Sequence, residues 1–457
     1  MNLTEITFLK QDQIKIDDET ISTYGKDWTS YFNIKCSGVL FPESVEDVQK
    51  IVIWAKSKNI KLIPSGGRTG LSGGAVARNG EVIVSMDRLN KILDWNPVDR
   101  LVHCQAGVII EELQNFAKNK NLFYPIDFAA RGSAQLGGSI ATNAGGIKVV
   151  RYGMTRQWVQ GLTVVTGTGD ILKLNNGLIK NASGYDFKNL FVGSEGTLGF
   201  IVEANMLLTT APHNLKTLLL APESLSKIMD IFKYFQDHSL LCAFEMFSEK
   251  ALEYVLKNTG AQHPFSNKSD YYIVLEVECP YEKDEDNLMQ LLEKCFENEW
   301  IIDGHMAQSE VQAKNFWRYR EQISESLSPY SPYKNDLSVR ISRVPEFLKS
   351  LDQILSEKYP TWKVVWFGHV GDGNLHINIL RPEQMTKENF VEECQKVDEV
   401  IFQKIKEFDG SISAEHGVGL TKKPFLHFCR SQNEILLMKN IKKIFDPEQI
   451  INPDKIF

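Results

Sequence analysis

No stretch of this sequence is apolar enough to cross a bilayer, since its hydrophobic residues, 43% of the total, are interrupted throughout by charge. An excess of positive charge is also missing. The net charge is −7, which excludes general attraction to nucleic acid or an anionic membrane and leaves any anionic ligand to local Arg and Lys. The seven cysteines, at 36, 104, 242, 279, 295, 394 and 429, form no CxxC pair. An odd, unpatterned set of this kind fits free thiols in a reducing, cytoplasmic compartment rather than a disulfide framework or a zinc finger. The opening residues MNLTEITFLKQDQIKIDDET have neither an apolar core nor an Arg-rich amphipathic pattern, so no signal or transit peptide is expected. Repeats, low-complexity tracts and Pro/Ser-rich linkers are absent.

What is present is a soluble-type composition over 457 residues, too many for one ordinary core, so two or three domains are expected. Up to about Ala211 the chain is rich in glycine and in short strand-like runs (EVIVSM, LVHCQAG, LTVVT, ILKL), with a helical stretch SVEDVQKIVIWAKSKN among them. From Lys216 to about Pro360, strands such as KTLLLA and YYIVLEVE alternate with amphipathic helices. In SLSKIMDIFKYFQ, for example, Leu225, Ile228, Ile231, Phe232 and Phe235 follow helical spacing. The tail predicts a helix stopped at Asp446-Pro447 and a short segment broken at Asn452-Pro453.

The first chemical candidate is PSGGRTGLSGGA, residues 64 to 75. A dinucleotide fingerprint of the Rossmann type needs a helix opening inside the loop, but here a turn and another strand follow. The bare amides of such a loop can wrap a phosphate as an anion nest, or the loop is a glycine-rich hairpin with no ligand. A second segment, PIDFAARGSAQLGGSIATNAGGIKVVRYG from Pro125, and a third, GYDFKNLFVGSEGTLGFIVEA from Gly184, are equally poor in large side chains over their glycine runs. Together they imply backbone packed closely around something bulky. TGTGD, at 166 to 170, is most simply a hairpin turn.

Taken in order, these three segments resemble the FAD-binding domain of the vanillyl-alcohol oxidase/p-cresol methylhydroxylase flavoproteins over about Leu40 to Thr210. The resemblance implies an α+β chain in which a two-subdomain FAD-binding domain is followed by an antiparallel-sheet substrate (cap) domain and a C-terminal helical segment packing back on the first. The corresponding bounds are 1–35 for an N-terminal segment, 36–212, 213–424 and 425–457. It also implies that Ser65, Gly66, Gly67, Arg68, Thr69, Gly70 and Ser72 form a pyrophosphate loop. Ser133, Gly138, Ala141, Thr142, Asn143 and Gly145 would contact the pyrophosphate and flavin edge, and Ile201 the adenine side. Relatives that tether flavin covalently use a His or Cys in the first loop; this loop has neither, so FAD is expected to be non-covalent.

WFGHVGDGNLHINIL, residues 366 to 380, holds two histidines across a GDGN turn. With Asp372-Gly373 as a two-residue hairpin loop, His369 lies opposite His376 on one face, and Asn378 joins that face by the two-residue strand period. Such a pair is either two stacked histidines bonded to backbone or half of a metal site, which needs a further ligand. SISAEHGVG, with adjacent Glu415 and His416, is a candidate source that is weak by itself.

GHVGDGNLHINI, SAEHGVG and the ending FDPEQIINPDKIF resemble the metal-bearing branch of FAD-linked 2-hydroxy-acid dehydrogenases. That branch includes D-lactate and D-2-hydroxyglutarate dehydrogenases and the glycolate oxidase flavin subunit. The resemblance implies that His369, His376 and Glu415 bind a divalent metal, usually taken as zinc, and that His416 is the general base. NFWRYREQISESLSPYSPYKND resembles the hydroxyglutarate version, which implies Arg320, Ser324, Lys334 and Asn378 as substrate-binding residues, with His416 beside them; the family pattern has Thr where Ser324 stands. Arg318 reads as solvated surface. D-lactate and glycolate dehydrogenases remain alternatives, as does a flavin subunit that only passes electrons within a complex. A quinone, an electron-transfer flavoprotein or a cytochrome is the expected acceptor. A homodimer and a peripheral position at a membrane are both compatible with the sequence.

Overall fold

A computed structural model describes residues 3–29 and 32–457, which divide into two compact units. The first unit comprises 1–145, 153–211 and 415–457; the second comprises 146–152 and 212–414.

The first unit holds two sheets. One has the order β1-β2-β4-β3, from Ile14–Lys15 (β1), Cys36–Leu40 (β2), Leu62–Ser65 (β3) and Glu81–Ser85 (β4). The stretch SVEDVQKIVIWAKSKN forms the helix Val45–Lys58. Ser44 caps it by accepting from the Asp47 amide, and Asn59 ends it in the left-handed conformation, as such residues commonly do. Val48, Ile51, Val52 and Ala55 recur at helical spacing and are wholly buried, in one core with Leu40, Val82, Val165 and Phe200. Each of the larger side chains contributes about 1.5–3 kcal/mol by leaving water. β3 and β4 run parallel, so the glycine loop between them is not a hairpin; it is a long crossover without a helix.

The second sheet is antiparallel, in the order β5-β6-β9-β7-β8: Ile92–Asn96 (β5), Leu101–Gln105 (β6), Val159–Thr166 (β7), Ile171–Leu174 (β8) and Gly199–Leu207 (β9). TGTGD closes β7 to β8 as a hairpin, with Gly169 at φ +90°. The tail forms the helix Gln432–Phe445, which stops before Asp446-Pro447. Beyond it, Ile451 pairs with Leu62 of β3: Leu62 N–H donates to the Ile450 carbonyl and Asn452 N–H to that of Leu62, both at 2.7 Å. Buried Lys442 holds this return by donating to the Asp446 carboxylate (2.8 Å) and to the carbonyls of Thr197 (2.7 Å) and Ile451 (2.8 Å).

The second unit is built on one antiparallel sheet of seven strands in the order β13-β10-β12-β11-β15-β16-β14. These are Leu215–Pro222 (β10), Leu240–Ser248 (β11), Tyr271–Glu278 (β12), Ile301–Met306 (β13), Tyr333–Ser338 (β14), Lys363–Gly368 (β15) and Asn374–Leu380 (β16). The helices Glu249–Thr259 and Glu310–Glu321 cover part of one face through Leu252, Val255, Phe316 and Trp317, which share a core with Phe247, Val274, Val365 and Phe367. The short segment 146–152 is pinned to this sheet by Lys148–Glu276 (2.7 Å) and Arg151–Glu278 (3.4 Å).

Candidate functional site

The three glycine segments meet in the first unit. A Cβ on Gly67 would stand 2.0 Å from the Ser133 carbonyl oxygen, so only glycine lets the first loop lie against the second. The second segment forms the helix Leu136–Thr142 and ends in left-handed Asn143, whose Oδ1 accepts from the Arg156 amide at 2.9 Å. Arg156 in turn donates to the carbonyls of Asn189 and Val192, both at 2.7 Å, and Gly193 and Glu195 donate to the carbonyls of Ile140 and Ala141. The third segment is thereby fastened to the second. Of the residues assigned to FAD, Ser65, Ser72, Gly145 and Ile201 are buried, and Ser133, Gly138 and Gly70 are exposed. Gly66, Gly67, Arg68, Thr69, Ala141, Thr142 and Asn143 are half-buried. Arg68 donates to the Gly66 carbonyl (2.9 Å) with its guanidinium over the Tyr24 ring.

Three buried polar atoms in these segments, Ser65 Oγ, Gln135 Oε1 and Ser139 Oγ, have no hydrogen-bond partner among the described residues. Buried polar atoms are rarely left so; the two serine hydroxyls can donate to a bound phosphate, whereas Gln135 Oε1 only accepts and calls for a donor such as a cofactor hydroxyl. With open amides and a Gly138 whose Cβ position meets nothing within 4 Å, the donors present fit the pyrophosphate of FAD.

Glu415 and His416 open the last portion of the same unit, with His416 Nε2 3.5 Å from Glu415 Oε1. The loop after them is fixed on the flavin segments. Val418 and Gly419 donate to the two Glu195 carboxylate oxygens at 2.7 and 2.8 Å, and Leu420 and Thr421 donate to the Ser72 carbonyl. Gly419, at φ +50°, lies so close to Ser72 that a Cβ would stand 2.2 Å from its carbonyl oxygen. Burial pushes the Glu195 carboxyl up, and the two amides work against that shift.

In the second unit, the histidine hairpin differs from the sequence expectation. Phe367, not His369, pairs with His376, and five residues, 369 to 373, connect β15 to β16. The reason is that the tip is bonded to its neighbours. Gly371 N–H donates to the Phe244 carbonyl, Val339 N–H donates to the Gly373 carbonyl, and Gly373 sits at φ +88°. A two-residue loop cannot make these bonds. Because the slip is by an even number of residues, the face is unchanged. The His369 and His376 rings are centred 5.3 Å apart, diagonal rather than opposite, and both are buried.

The same face carries the rest of the set. Register places Asp336 opposite His376 and Lys334 opposite Asn378. Asn378 is 1% exposed, and its Oδ1 has no hydrogen-bond partner among the described residues. Arg320, at the end of the helix Glu310–Glu321, is buried with its guanidinium 4.7 Å from the centre of the Phe367 ring. Lys334 is exposed, yet desolvation by its surroundings lowers its pKa, and no acid lies within ion-pair distance of it among the described residues. The helix breaks at Gln322, and Ser324 follows on the short helix Ile323–Leu327, exposed, as is Arg318.

One residue of this face was missed from sequence. Glu245 on β11 is 1% exposed; its Oε1 accepts from His369 Nδ1 at 2.7 Å, and its Oε2 lies 2.9 Å from Arg320 Nε as a charge contact. The signal was available: CAFEMF places a single acid in an apolar strand, and a buried charge requires a partner. Asp336 accepts from the Ala414 amide at 3.1 Å, so the chain leaves this face immediately before Glu415.

Comparison with known proteins gives two family matches, the second of which spans most of the second unit and continues into the last portion of the first. Residues 36–175 match the FAD binding domain family, and residues 211–456 match the FAD linked oxidases, C-terminal domain. Over 99% of its length the chain is 51% identical to a D-2-hydroxyglutarate dehydrogenase of Stutzerimonas stutzeri, covering 97% of that protein. It is 33% identical over 98% of its length to the mitochondrial D-2-hydroxyglutarate dehydrogenase of Arabidopsis thaliana, covering 80% of that protein. Among solved structures, the fold matches 4-ethylphenol oxidase from Gulosibacter chungangensis with a TM-score of 0.77 at 16% identity, over 97% of this chain and 94% of the other. With p-cresol methylhydroxylase the TM-score is 0.73 at 14% identity, over 97% and 93%. The chain therefore belongs to the family of FAD-linked oxidases that includes these D-2-hydroxyglutarate dehydrogenases.

Proposed function

We propose that the protein oxidises D-2-hydroxyglutarate to 2-oxoglutarate with non-covalent FAD and a divalent metal, zinc by preference. The observation that carries this reading is the single sheet face of the second unit. It brings two buried imidazoles together with Lys334, opposite Asn378, and buried Arg320, beside Phe367: two cations where a monocarboxylate needs one. The identity to D-2-hydroxyglutarate dehydrogenases supports it. His369, His376 and Glu415 are the proposed metal ligands. His369 fits this role because its Nδ1 is engaged by Glu245, which leaves Nε2 as the donor atom.

When bound, FAD supplies the hydride acceptor and the metal supplies Lewis acidity toward the substrate's hydroxyl and α-carboxylate. The protein's own residues do the remainder. Asn378 orients the α-carboxylate end, Arg320 and Lys334 grip the distal carboxylate with Ser324 beside them, and His416 takes the hydroxyl proton. Holding the substrate at both ends would restrict its orientation, which is how such contacts contribute to rate. The reduced flavin is returned to its oxidised state by a quinone, an electron-transfer flavoprotein or a cytochrome. A reducing, cytoplasmic setting suits the seven unbridged cysteines.

Anaerobic bleaching of the flavin tests the reading. D-2-hydroxyglutarate is expected to bleach it fast, with D-lactate, glycolate and the L-acids at least tenfold slower. Faster bleaching by D-lactate would keep the chemistry and overturn the substrate. A second test removes the metal. Chelation is expected to abolish bleaching while the protein keeps its FAD, as judged by absorbance after gel filtration; flavin lost together with activity would make the metal structural.

A further inference from the structure

We propose that Glu245 is the positioning residue shared by the two ends of this site, fixing the His369 ring for the metal and Arg320 for the distal carboxylate. The inference rests on the proposed function and adds a residue that no motif supplies.

An ionised carboxylate only accepts, so the 2.7 Å contact places the imidazole proton on His369 Nδ1. That selects one tautomer and one ring orientation, with the Nε2 lone pair directed away from Glu245, as outer carboxylates do for metal-binding histidines. The other oxygen faces Arg320 Nε at 2.9 Å. With the Nε edge held against Glu245 as a charge contact, the two terminal nitrogens of the guanidinium are on the edge that can grip a carboxylate bidentately. The Phe367 ring under the guanidinium restricts its plane further. All three side chains are at least nine-tenths buried, so neither contact is diluted by water.

Buried Glu276, on the adjacent strand β12, shows what a purely structural acid looks like in this sheet. Its partners are Lys148 Nζ and Trp317 Nε1, each at 2.7 Å, and neither belongs to the proposed site. Both partners of Glu245 do. A glutamine at 245 loses the charge that faces Arg320, and its NH2 must face either His369 or Arg320, so one of them loses its orientation.

The test uses the FAD-loaded full chain carrying E245Q. Zinc affinity of the metal-stripped protein is read by competition with a fluorescent chelator. KM is then measured for D-2-hydroxyglutarate and D-lactate at saturating zinc. Zinc affinity is expected to fall about 10–100-fold, or the KM for the dicarboxylate to rise about tenfold relative to that for D-lactate, with flavin content unchanged. Zinc affinity and the KM ratio both within twofold of wild type would overturn the proposal. If E245Q loses flavin, E245D decides by the same criteria, because its carboxylate is withdrawn by one methylene but keeps its charge. A wild-type protein that neither binds zinc nor is reduced by D-2-hydroxyglutarate sinks the functional reading itself. A competent wild type with an indifferent position 245 sinks only the role of Glu245.

Discussion

His416→Ala is expected to slow flavin reduction by D-2-hydroxyglutarate by about 10²–10⁴-fold, the usual contribution of a placed general base. FAD content and zinc content should stay near wild type, because His416 is proposed to meet the substrate and move its proton, not to hold the cofactor or the metal. The neighbour Glu415, a proposed metal ligand, should instead lose zinc when changed to alanine, so the two variants separate the two roles. The loop that carries the pair is fixed from the other side by Glu195 and Ser72, so removal of one imidazole leaves the backbone in place. Stopped-flow reduction under anaerobic conditions measures the effect directly. A reduction rate within tenfold of wild type would take the proton transfer away from His416.

Lys334→Ala separates dicarboxylate from monocarboxylate substrates. Loss of a hydrogen bond between charged partners removes about 1.5–3 kcal/mol, or roughly 10–150-fold in KM for D-2-hydroxyglutarate. D-lactate has no distal carboxylate, so its KM should change by less than threefold. Desolvation lowers the Lys334 pKa, and the protonated form is the one that binds an anion. The wild-type KM for the dicarboxylate should therefore be flat at lower pH and climb with rising pH before an ordinary lysine begins to titrate. Lys334→Arg should abolish that climb, since a guanidinium stays charged throughout. Equal losses on both substrates in Lys334→Ala would return this lysine to the surface.

Most of the architecture was legible because it rests on local rules. The helix Val45–Lys58 announced its cap, its buried face and its end, and the stop at Asp446-Pro447 needed only a proline. The glycine segments were read as backbone packed around something bulky; the contact seen at Gly67 is with another glycine segment, at Ser133, which the sequence reading did not state. The parallel β3–β4 pair was less accessible, because nothing in the loop's own residues states which strand its successor joins. The histidine hairpin shows the same limit: its Asp-Gly turn signal is local, whereas bonds to the Phe244 carbonyl and from the Val339 amide, both more than 30 residues away in sequence, decide the loop length. The face survived the error because strands alternate with period two. Glu245 was visible only as an acid out of place, and its partners, 75 and 124 residues further along, come from the fold.

The return of the tail to β3 also sets a timetable. Leu62 is bonded on one side by residues 450 to 452, roughly 390 positions later in the chain, and Asn452 also donates to the carbonyls of Gly74 in the glycine loop and Glu195 in the third segment. At about 5–20 residues per second, the ribosome reaches those partners on the order of 20–80 s after β3 has been made. The whole second unit is synthesised during that interval, while the cofactor loops still lack their last support. The glycine loop and the third segment thus receive this support only at the end of synthesis.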